Sequence, residues 1–181
     1  MKITETRLKG CFVLEPTIFK DNRGLFMESY KKSSLEEAIG ASINFVQDNI
    51  SVSKKGVLRG LHYQTREYAQ AKLIHVIKGA VLDVVVDLRK ESATFGQHFK
   101  LRISEGNRKS IFIPKGMAHG FLAMTEEVIF GYKCDAYYDP KAEAGIIFND
   151  PYLNIDWEIS EAETILSEKD LNLPKWENRI L

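Results

Sequence analysis

An antiparallel all-β domain, built as a sandwich or a barrel, is what this sequence predicts, with a few short helices outside it. Turn-forming residues recur at short intervals, at Asn22-Arg23-Gly24, Lys55-Gly56, Lys78-Gly79, Gly106-Asn107, Pro114-Lys115-Gly116, Asp139-Pro140 and Asn149-Asp150-Pro151. Between them lie short runs rich in Val, Ile, Phe and Tyr, the rhythm of hairpins and Greek keys rather than of helices. With 181 residues, 44% of them hydrophobic, and no linker, repeat or low-complexity segment, residues 1–181 read as one domain. Such a domain buries roughly 70% of its unfolded surface and needs no disulfide staples.

The elements follow in order. Ser34-Leu35-Glu36-Glu37 fits a capping box at the start of an early helix, and Gly40 suits its left-handed stop. "GVLRGLHYQ" (56–64) reads as a half-buried strand. "KLIHVIKG" and "AVLDVVVDLR" are expected to pair as a hairpin through Lys78-Gly79. In the second, Leu82, Val84, Val86 and Leu88 share one face, and Asp83, Asp87 and Arg89 the other. "RKSIFIPKG" and "EVIFGYKCDAYY" add two core strands. The tail, "SEAETILSEKDLNLPKW", is expected to form helical turns and coil packed outside the sheets.

Composition narrows the function. Lysine plus arginine equals aspartate plus glutamate, 25 of each, so no basic excess advertises nucleic acid. "MKITETRLKG" lacks the apolar run of a signal peptide and no stretch approaches a membrane span, which points to the cytoplasm. Cys11 and Cys134 fit a reducing interior.

His62 is the first residue that could do chemistry. Parity puts it on a face with Leu58, Gly60 and Gln64, and turns Arg59 away unless Gly60 carries a bulge. His119, in "IPKGMAHGF", follows a Pro-Gly turn, a loop-mouth position where binding residues collect. A tight metal site wants three or four imidazole, thiolate or carboxylate donors. His62 and His119 are two, and Gln64 stands where a second strand histidine would be needed, so no metal is expected. His62 is then better used as a proton-transfer base, oriented by Asp83, Asp87 or Asp170, or else it is a packed strand histidine. Tyr132, on a face with Val128 and Phe130, is either the matching acid or a core tyrosine. Arg23, Arg59 and Lys72 suit phosphate oxygens if the strands converge them on one mouth. His75 and His98 read as structural.

Seven stretches then combine. "EPTIFKDNRGLFMESY", "FVQDNISVSKKGVLRGLHYQ", "AQAKLIHVIKGAVLDVVVDLRK", "IPKGMAHGF", "GYKCDAYYDP", "FNDPYLNIDW" and "ILSEKD" resemble, in order, the dTDP-4-dehydrorhamnose 3,5-epimerase family from residue 15 to 170. The resemblance implies a cupin-type jelly-roll barrel and a homodimer whose N-terminal strands cross to the partner. It implies inversion of C3 and C5 in a dTDP-linked 4-keto-6-deoxy sugar, without metal or nicotinamide cofactor, on the route to L-rhamnose. Carried over by position, it makes His62 the base, Asp170 its carboxylate and Tyr132 the acid. Lys72 and Arg59 would lie by the sugar and phosphates, with His119 on the diphosphate. Arg23, Glu28, Gln47, Asp48 and Asn49 would hold the nucleotide and its phosphates. Tyr138 would stack on the base, and Glu143 and Lys169 would line the site. Ile50, Phe148 and "TREYAQAK" depart from the family pattern without touching the acid, base or lysine. The competing readings are a single-centre 3- or 5-epimerase, a metal-dependent barrel enzyme, and a non-catalytic sugar-binding barrel.

Overall fold

Lys78-Gly79 is a corner between two sheets, not a hairpin turn, and that difference sets the architecture. The structure, a computed structural model, describes residues 1–176. Four short strands open the chain: β1 (Lys2–Glu5), β2 (Phe12–Glu15), β3 (Ile18–Asp21) and β4 (Gly24–Met27). Helix α1 (Lys32–Ile39) leads to β5 (Gln47–Lys54), β6 (Leu58–Gln64), β7 (Lys72–Lys78) and β8 (Ala80–Asp87). Then come β9 (His98–Ser104), β10 (Ser110–Ile113), β11 (Met117–Ala123), β12 (Glu127–Cys134), β13 (Glu143–Gly145) and the helical turn α2 (Glu168–Leu171).

Among the described residues these strands form a six-stranded sheet (β1-β2-β10-β7-β12-β5), a five-stranded sheet (β13-β6-β11-β8-β9) and the separate pair β3-β4. From β5 to β12 the chain changes sheet at each connection except β8 to β9. That is the winding of a jelly roll, two Greek keys closed face to face. The expected hairpin fails because β7 pairs with β10 and β12, while β8 pairs with β9 and β11. Gly79 makes the corner at φ +80°, where an added Cβ would sit 2.3 Å from the Glu127 carbonyl oxygen. Glycine alone fits there.

The alternation in β8 hides two buried faces. Leu82, Val84 and Val86 point outward and are covered by Ile146, Phe148, Leu153, Trp157 and Trp176 of the C-terminal segment. Val81 and Val85 point into the barrel with Ile74, Ile103, Ile111, Phe121 and Phe130. Asp83 and Asp87 therefore face inward and are fully buried. Cys11 and Cys134 are free and buried, and burial pushes their thiols up to about 12 and about 11.

Helix α1 starts earlier than the capping-box reading places it. Its N-cap is Lys31, with no side-chain cap. Glu36 is drawn instead to the helix exit, where its carboxylate accepts from Ser42 Oγ at 2.8 Å and from the Ile43 N–H at 3.0 Å. Gly40 ends the helix at φ +69°, as expected. Leu35 and Ile43 pack with Leu14, Leu73 and Phe112 over half of the outer face of the six-stranded sheet. Over β5 the described residues leave that face bare: Ile50 is 69% exposed and Val52 61%.

Candidate active site

Arg59 and His62 share a face only because β6 carries one extra residue. In its ladder with β11, His62 pairs with His119 and Arg59 with Phe121, so Gly60 and Leu61 on one strand stand against Gly120 alone on the other. That bulge reverses the parity between Arg59 and His62, so the condition attached to Gly60 is met. Gly60 has φ +123°, and a Cβ there would lie 2.6 Å from Gly120 Cα. Two glycines thus let the strands cross closely enough to aim both cations inward.

The barrel interior opens as one cleft with two lobes that share His62, Lys72 and Tyr132. The first encloses about 310 Å³ and adds Ser51, Arg59, His119, Ser167, Lys169 and Asp170, floored by Phe121 and Phe130. The second encloses about 280 Å³ and adds Gln47, Asn49, Gln64, Gln70, Tyr138 and Glu143.

His62 Nε2 lies 2.5 Å from Asp170 Oδ1. Of the three carboxylates open in sequence, the remote one is its partner. The tail delivers it: the Leu58 N–H donates to the Ile165 carbonyl at 3.0 Å, which lays the segment along β6. Ser167 caps α2, accepting from the Asp170 N–H at 3.1 Å and donating from Oγ to Asp170 Oδ2 at 2.9 Å. Burial alone would raise the Asp170 pKa, but His62, Ser167 and Lys169 overcome it and hold the carboxyl below its usual range.

Tyr132 lies on β12, in the opposite sheet. Burial, then Cys134 and Glu143, raises its pKa, so it holds its proton through the neutral range. Lys72 Nζ sits 5.9 Å from the Tyr132 ring centroid. Burial lowers its pKa, against the pull of Cys134, Glu143 and Asp83, so an anionic oxygen arriving beside it would be strongly favoured.

His119 is not at a loop mouth. It sits within β11, is buried, and its Nε2 lies 2.8 Å from Asp83 Oδ2. Asp83, weighed as a partner for His62, serves the second histidine. Glu143 joins Tyr138, whose hydroxyl donates to Oε2 at 2.5 Å, to Lys169, 2.5 Å from the same oxygen.

Three of the expected residues fall elsewhere in this chain. Asp48 alternates with Gln47 and Asn49, so it points outward and pairs with Lys133 at 2.8 Å. Arg23 lies on the β3-β4 pair, bound to Asp21, and Glu28 follows that pair; neither lines the cleft. His75 and His98 lie outside the cleft, and burial lowers both pKa values. The inward face of β5, which carries Ser51 beyond Gln47 and Asn49, was available from strand parity. The contribution of Ser167 needed its cap geometry and that of Gln70 needed the fold, whereas parity with His62 already put Gln64 on the inward face.

Among the described residues no group of three or more His, Cys, Asp or Glu side chains has the arrangement of a metal site, and no helix is long and apolar enough to cross a membrane.

Comparison with known proteins places the chain. The dTDP-4-dehydrorhamnose 3,5-epimerase of Salmonella typhimurium is 45% identical over 181 residues, 100% of this chain and 98% of that protein. The crystal structure of dTDP-4-dehydrorhamnose 3,5-epimerase from Elizabethkingia anophelis matches with a TM-score of 0.95 at 48% identity, covering 99% of this chain and 98% of that one. The dTDP-6-deoxy-D-glucose-3,5-epimerase of Legionella pneumophila, in complex with dTDP-4-keto-L-rhamnose, matches with a TM-score of 0.90 at 42% identity, covering 97% and 98%. The family model described as dTDP-4-dehydrorhamnose 3,5-epimerase matches residues 5–178, and this chain belongs to that family.

Proposed function

We infer that the protein inverts C3 and C5 of dTDP-4-dehydro-6-deoxy-D-glucose, giving dTDP-4-dehydro-L-rhamnose on the route to dTDP-L-rhamnose. The observation that carries this reading is one cleft holding a carboxylate-oriented histidine and a tyrosine on opposed sheets, with a lysine lining the same cleft. Substrate and product are isomers, so the reaction moves protons and needs no electron acceptor.

Both reacting carbons flank the C4 carbonyl, and removing either hydrogen makes an enolate. With Nε2–H donated to Asp170, His62 keeps a lone pair on its other ring nitrogen and takes the hydrogen. Asp170 stabilises the imidazolium that forms. Lys72 faces the charge that develops on O4; loss of one such donor typically costs about 2.7–4 kcal/mol of barrier. Inversion requires the new proton on the opposite face, and Tyr132 supplies it. Arg59 and His119, in the first lobe, suit the diphosphate, whose binding energy holds the sugar in place. Tyr138, Gln47 and Asn49 supply an aromatic ring and amides of the kind that suit a base.

Arg23 and Glu28 fit this scheme in a homodimer, in the cytoplasm, with the β3-β4 strands exchanged. The pair stands apart from both large sheets and carries Phe19 and Phe26, 60% and 70% exposed, with ring centroids 6.4 Å apart. An exposed aromatic arm bearing an arginine is matched to a neighbour's nucleotide site.

The test is incubation with the 4-keto substrate in D2O. The wild-type protein takes up deuterium at C3 and at C5, and uptake at one carbon only would make it a single-centre epimerase. His62→Ala lowers uptake at both carbons by about 10²–10⁴-fold; uptake at the wild-type rate would remove His62 from the role. Tyr132→Phe keeps wash-in by His62 but loses inverted product, and equal loss of the two would remove the opposite-face role of Tyr132.

A further inference from the structure

Three glutamines hold the segment that carries Tyr138, all of them lining the second lobe of the cleft. Gln70 Nε2 donates to the Ala136 carbonyl at 2.8 Å, Gln47 Oε1 accepts from the Tyr138 N–H at 2.9 Å, and Gln64 Oε1 accepts from the Asp139 N–H at 3.0 Å. Gln47 uses its amine end as well, on Asn49 Oδ1 at 3.0 Å. Gln64 does not. The residue is 6% exposed, and its Nε2 is buried without a hydrogen-bond partner among the described residues.

The orientation of that amide is fixed by chemistry. Only its carbonyl end can accept from the Asp139 N–H, so the NH2 end is the free one. Gln64 follows His62 by two residues on β6, which puts both side chains on one strand face. Gln64 therefore lines the lobe that holds His62, Lys72 and Tyr132, with its unpaired donor buried in the wall of that lobe. Buried donors are almost always paired, and one that is not calls for an acceptor from outside the fold. A neutral carboxamide matches a neutral oxygen, whereas the charged phosphates are matched by Arg59 in the other lobe.

We propose that Gln64 is a positioning residue for the sugar: its Nε2 donates a hydrogen bond to a ring hydroxyl of the hexose and sets C3 and C5 between His62 and Tyr132. The assignment rests on the epimerase reading and extends it to sugar recognition. It also couples recognition to the nucleotide side, because the same amide anchors the backbone next to Tyr138.

The experiment compares kcat/KM for C5 deuterium exchange on the parent dTDP-4-keto-6-deoxy hexose and on its 2-deoxy and 3-deoxy analogues. The wild-type protein prefers the parent over one analogue by about tenfold, the usual worth of a neutral hydrogen bond. Gln64→Met loses about tenfold on the parent and nothing further on that analogue, so the preference vanishes. A merely structural role would lower the rate on every substrate and leave the preference intact. Should Gln64→Met melt far below the wild type or fail to bind dTDP, Gln64→Glu carries the same comparison, since it keeps an acceptor for the Asp139 N–H and removes the donor. A variant that folds and retains the wild-type preference against both analogues overturns the role of Gln64 while leaving the epimerase reading standing. Absence of C5 exchange in the wild-type protein on the parent substrate overturns that reading, and this assignment with it.

Discussion

His62 and His119 face each other across the β6–β11 ladder, yet their carboxylates arrive from different directions. Asp83 comes from the neighbouring strand β8 and has no exposure at all, so the His119 pair is built into the barrel wall. Asp170 comes from a helical turn laid over the barrel late in the chain, so the His62 pair is assembled last in sequence and stands at the edge of the cleft. Asp170→Asn keeps the shape and removes the charge. It is expected to lower kcat by about 10²–10⁴-fold, the range for an impaired base, while dTDP binding measured by calorimetry stays within about twofold. A variant with wild-type kcat would reduce Asp170 to a structural tether of the tail.

Two strand-level devices shape the barrel, one aiming these residues and one holding the fold, and each answers to a measurement. The first is the β6 bulge. Gly60→Ala must place a Cβ 2.6 Å from Gly120 Cα at φ +123°, so the strands have to part. A loss of about 1–3 kcal/mol in urea denaturation is expected, with kcat falling further than stability because Arg59 and His62 lose their common face. Unchanged kcat would detach the register from catalysis. The second device is the loop after β8. Asp87 accepts from Arg89, Ser92 and Thr94 side chains, and although burial opposes ionisation, these bonds lower its pKa to about 2 from 3.8. A depressed carboxylate stabilises fully above its unfolded value and loses that contribution as pH falls through the folded one. Asp87→Asn should therefore destabilise by on the order of 2 kcal/mol at pH 7, and the gap to wild type should close between about pH 3.8 and about pH 2. Much at this scale was legible beforehand. Turn residues and β-rich runs marked the strands, and Gly60 marked the bulge. The Lys78-Gly79 hairpin was misjudged because a positive-φ glycine serves a sheet corner as well as a tight turn. Strand parity read off β5 puts Asp48 on the outer face with Ile50 and Val52. Nothing local in "LSEKD" says which histidine Asp170 will meet, since that pairing spans more than a hundred residues and depends on how the tail crosses β6.

At the scale of the whole molecule, the single chain leaves two surfaces that one explanation covers. One is the bare stretch of the six-stranded sheet around Ile50 and Val52; the other is the aromatic β3-β4 arm with Arg23. Two-fold pairing would bury the first and carry each arm to the other subunit's cleft, because a two-fold contact repeats every exchange reciprocally. Val52→Glu is then expected to shift the protein toward monomer in sedimentation velocity, with loss of activity at low concentration. Complementation separates an arm that acts across the interface from one that acts at home. Arg23→Glu and His62→Ala are each expected to be nearly inactive alone. When the two are co-expressed, random pairing makes half of the dimers mixed, and in a mixed dimer one cleft carries both lesions while the other carries neither, so activity returns to about a quarter of wild type. If Arg23 served its own chain, every cleft in the mixture would keep one lesion and no activity would return. Recovery therefore depends on exchange of the arm between subunits, and its absence, with both proteins shown to co-assemble, would place Arg23 outside the neighbouring site.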